Sequence, residues 1–409
     1  MQSFNRSILA RLTAHYALLQ AALNAVYLAV VSFASVFLRY RGMNDFQIGI
    51  LLAIGTMLSI LLQPLLGTLA DRMKHIRLGL VVGWFHVAMT PLAVLLIAVT
   101  DQLPVIAVAY VLLRCLITVT DPFENSMAME TVNRGYPINF GLAKSFGSVG
   151  YSSASFLLGK AVAEWSASAI MPAVILLSLL AAVISMCFRI PGTRQAAAET
   201  SKKEDETLGL LEFLRRGPRF ALFIVSIALV YYCQEVRANY MYQIVAHIGG
   251  TPEQFGTLTA FTSLIEMPAM MFFSFLLKHF RVRSMVLFSG CCMILRTLVI
   301  WWAPNLTWMY IGGAMQVVSF GLFWPAAIYY VNEIIGEANR NKGQTFLSAG
   351  MCVSTVLSTL IGGGMLSAAE GNPHTMLLSG AAISAAGMII MIAATSGKDS
   401  VIRAKEEAQ

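Results

Sequence analysis

Apolar runs long enough to cross a bilayer recur along almost the whole chain, separated by short polar turns. A helix needs about 20 such residues to traverse the hydrocarbon core. The pattern therefore predicts an all-α integral membrane protein with about twelve transmembrane helices. Their spans are residues 12–38, 47–69, 78–99, 104–127, 138–159, 167–188, 218–244, 255–277, 285–303, 307–331, 344–367 and 374–395. Helices are required because the runs are too long for barrel strands and the bilayer offers no water to open backbone groups. The longest polar stretch, Pro191 to Gly217, carries Lys202, Lys203, Glu204, Asp205, Glu206, Arg215 and Arg216, and reads as a solvated linker. The expected organisation is a six-helix bundle over 1–190, a cytoplasmic linker over 191–217, and a second six-helix bundle over 218–409 with a short cytoplasmic tail. The first run is too long for a cleaved signal peptide and lacks a small-residue cleavage site.

Composition agrees. Hydrophobic types make up 57% of the 409 residues and charged types 12%, whereas soluble domains carry about 25% charged residues. Such a surface faces lipid. The net charge of +7 would suit a nucleic-acid partner, but its placement points elsewhere. With the N-terminus assigned to the cytoplasm, the outer loops hold only Arg39, Arg41 and Lys160, and most other Lys and Arg fall in inner loops and termini. That asymmetry is the positive-inside rule, with both termini cytoplasmic, and it excludes nucleic acid as the reason for the charge. All six cysteines lie inside apolar spans without metal-site spacing. There is no P-loop, no Ser/His/Asp set and no clustered metal ligands, so neither an enzyme nor a cofactor is expected.

The two halves echo each other. Pro122 in the fourth span answers Pro325 in the tenth, and Asn139-Phe140-Gly141 entering the fifth answers Asn341-Lys342-Gly343 entering the eleventh. The turn at residues 67–74 after the second span answers residues 274–281 after the eighth. Parallel repeats of this kind place a solute site at their interface near the midplane. The motif Gly67-x-x-x-Asp71-Arg72-x-Lys74-x-x-Arg77 resembles the loop signature of the major facilitator superfamily, which implies a gating role for Gly67, Asp71 and Arg72.

A narrower resemblance lies in the fifth span. Residues Asn139 to Tyr151 resemble the corresponding segment of lactose-permease-type sugar/proton symporters and phenylpropionate permeases. It implies that Lys144 stands where the sugar permeases have a sugar-binding arginine, and Tyr151 where they have a stacking tryptophan. Glu266, followed by Met267-Pro268, resembles the phenylpropionate branch, and Arg296 resembles an arginine of both branches. The acidic sugar-binding partner falls on Ser126, and the histidine and glutamate of the tenth helix fall on Phe320 and Phe323, so neither lactose nor that proton relay is expected. The proline-glycine motif of drug/proton antiporters is absent from the fifth span, which favours uptake over efflux.

Ionisable groups inside a membrane are costly and face the protein interior. Here they are Arg114, Asp121, Glu124, Lys144, Glu235, Arg237, Glu266 and Arg296. Depth along the spans predicts two ion pairs, Asp121–Lys144 and Glu266–Arg296. Polar stripes at helical spacing select the substrate-binding candidates Asn24, Tyr27, Asp121, Asn125, Lys144, Tyr151, Tyr231, Glu235, Gln316 and Trp324. Glu266, Arg296 and Asp121 are the proton-coupling candidates. Trp301, Trp302 and Trp308 flank Pro304 and read as interface anchors. The expected function is proton-coupled uptake of a small organic solute (a sugar, nucleoside or aromatic acid) by a monomer in a bacterial inner membrane. A proton-driven exporter and a non-transporting sensor or lipid-handling protein stay open as alternatives at this point.

Overall fold

Each expected run falls on helical backbone in a computed structural model that describes residues 6–72, 77–134, 136, 138, 140–190, 217–335 and 340–396. The α-helices are α1 (Arg6–Tyr27), α2 (Ala34–Tyr40), α3 (Asp45–Arg72), α4 (Leu78–Ala98), α5 (Leu103–Asn133), α6 (Phe140–Trp165), α7 (Ile170–Cys187), α8 (Pro218–His247), α9 (Pro252–Met271), α10 (Phe273–His279), α11 (Val282–Trp301), α12 (Leu306–Ala314), α13 (Phe320–Ile334), α14 (Arg340–Ala368) and α15 (His374–Thr395). Among the described residues, nine helical stretches are long and apolar enough to cross a membrane. The runs that fall short are α6, α9 with α10, and α12 with α13. α6 is too rich in Ser, Gly and Lys, α9 carries too many polar residues near its start, and the α12–α13 run is broken.

Three spans that the sequence draws as single helices are interrupted. The first opens into a π-helical turn, Leu28–Ser32, where Phe33 N–H reaches back to Leu28 O at 3.2 Å, five residues away. The second break follows Pro268. Phe272 closes the turn onto the Pro268 carbonyl before α10 begins. The third lies between α12 and α13. Gln316 N–H bonds to Gly313 O instead of continuing the α-helical ladder, and Gly321 N–H reaches Gln316 O at 2.9 Å. The change of partner leaves Gly312 O without its usual acceptor role inside the helix. In α8 the ladder also kinks, at Tyr240, whose hydroxyl donates to Thr359 O at 2.6 Å.

Contacts divide the chain into two units, Met1–Lys203 with Gly250–Leu264, and Glu204–Gly249 with Ile265–Gln409. In the first, α1 packs on α6 and α7, α4 on α5 and α7, and α3 on α5. In the second, α8 packs on α14 and α15, and α11 on α13 and α15. The pairing scheme is the same one, with the seventh, ninth, tenth, eleventh and twelfth runs repeating the first, third, fourth, fifth and sixth. The early part of α9 groups with the first unit. Ser155 Oγ donates to Gly256 O at 2.8 Å, and Phe255 packs edge-on against Phe33 with ring centroids 5.0 Å apart.

Helices in lipid gain nothing from hydrophobic transfer to one another, so close packing and hydrogen bonds must hold them. The α1–α6 crossing shows how. A Cβ on Gly150 would strike the backbone of Ala21, and one on Gly147 would sit 2.6 Å from Asn24 Nδ2. The absence of side chains lets the two backbones meet. In the second unit Ser384 Oγ donates to Leu229 O at 2.9 Å and accepts from Cys233 N–H at 3.1 Å, pinning α15 to α8. Around that seam lies a core of Phe220, Phe223, Ile227, Val230, Met293 and Phe323.

Candidate functional site

The first unit gathers its polar groups from α1, α5 and α6. Lys144 is exposed on α6, and its Nζ donates to Asn125 Oδ1 at 3.1 Å. Asp121, one turn earlier on α5, is also exposed and lies within the electrostatic field of Lys144 and Arg114. The expected Asp121–Lys144 ion pair does not close to 4.0 Å. Asn125, at i+4 from Asp121 on the same face, takes the ammonium instead. Glu124 is buried behind them, with Thr120 and Gln20 beside its carboxyl group. Gln20 Nε2 donates to Tyr16 Oη at 3.0 Å, and Tyr16 in turn donates to Glu124 O at 3.1 Å. Tyr151 shares a 2.6 Å hydrogen bond with Ser32 Oγ, in the π-helical turn. Asn24 donates to Gln20 O at 2.9 Å and lies against Gly147, while Tyr27 stands half-buried at the edge of the π-helical turn.

The second unit holds a tighter cluster. Arg237 on α8 is 1% exposed and Arg296 on α11 is 2% exposed. Arg237 Nε donates to Cys233 O at 3.1 Å and to Thr297 Oγ1 at 3.0 Å, and its Nη2 donates to Gln234 Oε1 at 2.8 Å. Arg296 Nη1 also approaches Gln234 Oε1, at 3.4 Å. Arg296 Nε donates to Gly312 O at 2.8 Å, the carbonyl that the α12–α13 break releases. Glu266 on α9 is 9% exposed and accepts from Gln316 Nε2 at 2.7 Å. Gln316 sits in the same break. The expected Glu266–Arg296 pair is therefore not formed within 4.0 Å, although each group feels the other's charge. A backbone carbonyl holds the cation and an amide holds the anion.

The remaining candidates surround this cluster. Asn239 Nδ2 donates to Glu235 Oε2 at 3.3 Å. Tyr231, Phe320 and Trp324 form an aromatic run, with centroid separations of 6.1 and 6.3 Å. Trp302 and Trp308 pack edge-to-face at 4.9 Å, apart from the cluster, in keeping with an anchoring role. Gly67, Asp71 and Arg72 lie on the last turns of α3, but their side chains, and Lys74 altogether, lie outside the described residues. The sequence-based site candidates omit several participants, among them Glu124, Gln20, Gln234, Arg237, Thr297 and the Gly312 carbonyl. Gln234 and Glu124 carried a signal, being polar residues in step with the stripes. Nothing but the Gly312-Gly313 doublet announced the carbonyl.

The profile of the MFS_1 like family matches residues 9–376. The chain belongs to that family. It is a multi-pass membrane transporter of the major facilitator type, as the loop motif and the repeated halves suggested. The maltose permease of Geobacillus stearothermophilus is 24% identical over 343 residues, covering 83% of this chain and 84% of that protein. The uncharacterized transporter YwbF of Bacillus subtilis (strain 168) is 21% identical over 328 residues, 78% of each. Among solved structures, the nucleoside transporter NupG superposes with a TM-score of 0.78 at 16% identity, over 95% of this chain and 100% of that one. A bacterial homolog of the lysosomal transporter Spinster, in an inward-facing, unoccupied conformation, gives 0.66 at 14% identity over 100% and 99% of the two chains. These structural likenesses concern the fold. The family and these relatives are transporters, not enzymes.

Proposed function

We propose that the protein is a proton-coupled uptake carrier for a small organic solute, a sugar, nucleoside or aromatic acid, working by alternating access in a bacterial cytoplasmic membrane. The observation that carries this reading is Glu266. It is a buried carboxyl group inside a transmembrane helix, held by a neutral amide at 2.7 Å, with a guanidinium nearby that is bonded elsewhere. A carboxyl group in that setting can take or release a proton as its distance to the cation changes, because burial favours the neutral form and a close cation the charged form. Gly312 O holds Arg296 through Nε, so a change in the α12–α13 break would move the guanidinium relative to Glu266 and bias its protonation state. Each unit by itself carries amides, charges and rings of the kind that bind a hydroxylated ring solute: Lys144, Asn125, Asp121, Tyr151 and Asn24 in the first, and Glu235, Tyr231, Gln316 and Trp324 in the second. The names of the relatives, a maltose permease and a nucleoside transporter, favour sugars and nucleosides within the proposed class.

The test is transport in proteoliposomes with an imposed proton gradient. Wild type is expected to accumulate its solute against a concentration gradient. Glu266→Gln keeps the bond to Gln316 but cannot ionise, and is expected to lose uphill accumulation while retaining exchange of internal for external solute. Undiminished uphill accumulation by Glu266→Gln would remove Glu266 from the coupling role.

A further inference from the structure

A cavity lies in the first unit, at the ends of three of its helices. It has a volume of about 160 Å³ and opens where α4 begins, α5 ends and the chain leaves α7. Arg77, Arg134 and Arg189 line it, with Glu130, Gly79 and Phe188. Arg134 is paired with Glu130. Three guanidiniums against one carboxylate give these described groups a net positive charge. The cavity also receives the start of α4. Arg77 is its N-cap residue and gives the first turn no side-chain acceptor. The helix's own bonds begin with Leu80 and Val81 donating to Arg77 O, so the N–H groups of Leu78 and Gly79 have no acceptor within the helix. Helix N-termini and arginine forks are devices that proteins use for phosphate oxygens, and here both line one cavity.

The surface beside it is a track for hydrocarbon. Leu176, Leu180 and Val183 of α7 are exposed, at 70%, 49% and 60%, and Cys187 continues them. Their spacing of four, three and four puts them on one helix face. The stripe runs down α7 to the exposed Arg189, at the mouth of the cavity. By the charge asymmetry, this is the end of the helices that faces the cytoplasm, the side where basic pockets between transmembrane helices hold anionic headgroups.

We propose that this cavity binds the phosphate of an anionic phospholipid, with Arg77, Arg134, Arg189 and the start of α4 holding the headgroup and the acyl chains lying along the α7 stripe. The proposal does not depend on what the carrier transports. A lipid there would tie α4, α5 and α7 together at one end.

The experiment is native mass spectrometry of the full-length purified protein in detergent with added phosphatidylglycerol, alongside its thermal midpoint. Phosphatidylglycerol is expected to be retained and to raise the midpoint, and phosphatidylcholine of the same chain length to do neither. Arg189→Gln is expected to weaken retention about fivefold, and Arg189→Lys to keep most of it. Arg189 is exposed, so these variants are not expected to disturb folding. Arg283→Gln, which removes an exposed cation on α11 outside the cavity, serves as the charge control and is expected to change nothing. Equal retention of the two lipids would overturn the proposal. So would equal losses in Arg189→Gln and Arg283→Gln, which would mean diffuse surface charge. Inorganic phosphate that displaces the lipid and matches its stabilisation would assign the cavity to a soluble phosphate and overturn the lipid reading.

Discussion

Gln234 is the residue on which the buried charges of the second unit turn. One amide oxygen receives hydrogen bonds from Arg237 at 2.8 Å and Arg296 at 3.4 Å, and cations at membrane depth are expensive when their donors go unmet. Replacing it with leucine strands donors on both guanidiniums. Gln234→Leu is expected to lower stability by about 1.5–3 kcal/mol, measured as a drop in the unfolding midpoint of the purified protein. Gln234→Glu supplies a formal counter-charge at the same place and is expected to be more stable than the leucine variant. A leucine variant as stable as wild type would show that the shared acceptor contributes little. Sequence reasoning saw the individual charges, because ionisable residues stand out in apolar runs. It mispaired them, because it assigned charge to charge by depth along straight helices. The structure gives Lys144 to Asn125 and Arg296 to Gly312 O, and neutral acceptors of this kind carry no sign in a charge pattern.

At the scale of the element, breaks and close approaches do the positioning. The α12–α13 break supplies both the carbonyl that holds Arg296 and the amide that holds Glu266. The π-helical turn brings Ser32 to Tyr151. Apolar periodicity gave no hint of either irregularity, since a one-residue change in hydrogen-bond register barely alters an apolar run. The glycine crossing was more legible, as small residues spaced along α6 suggest a close neighbour. Gly150→Ala must push Ala21's backbone away and is expected to cost about 1–3 kcal/mol, seen as a lower thermal midpoint. A Cβ on Gly42 would meet nothing within 4 Å, but the φ of +84° there belongs to the left-handed region. Gly42→Ala is expected to cost only the backbone strain, about 1–2 kcal/mol. If Gly150→Ala proved harmless, the backbones of α1 and α6 would have room that the structure denies them.

For the whole molecule, the fold was the most legible feature. Twenty-residue apolar runs, one long polar linker and paired landmarks in the two halves are coarse signals that survive local irregularity. The repeated helix pairing in the two units, the family match and the superposition on NupG agree with the apolar runs and the paired halves, while residues 191–216 of the linker lie outside the described residues. Orientation rests on charge placement alone. A reporter fused after residue 396 is expected to lie in the cytoplasm, with reporters in the loops near Arg41 and Lys160 outside. A reversed result would overturn the assignment of both termini. Solute identity is set by a few side chains whose types recur throughout such carriers, so the pattern of the chain narrows it only to a class.

Among the described residues, α6 and α9 are long enough for a membrane span but too polar, whereas α12 and α13 are apolar but interrupted. They are also the ones that carry Lys144, Tyr151, Glu266 and Gln316. The polarity of α6 and α9 matters already during biosynthesis. A segment leaving the ribosome partitions into lipid by its own hydrophobicity, and α6 and α9 have little to spare. α6 is expected to enter lipid together with α1, the neighbour that packs on it. The polar residues of these helices thus bear on how the chain enters the membrane as well as on the finished protein.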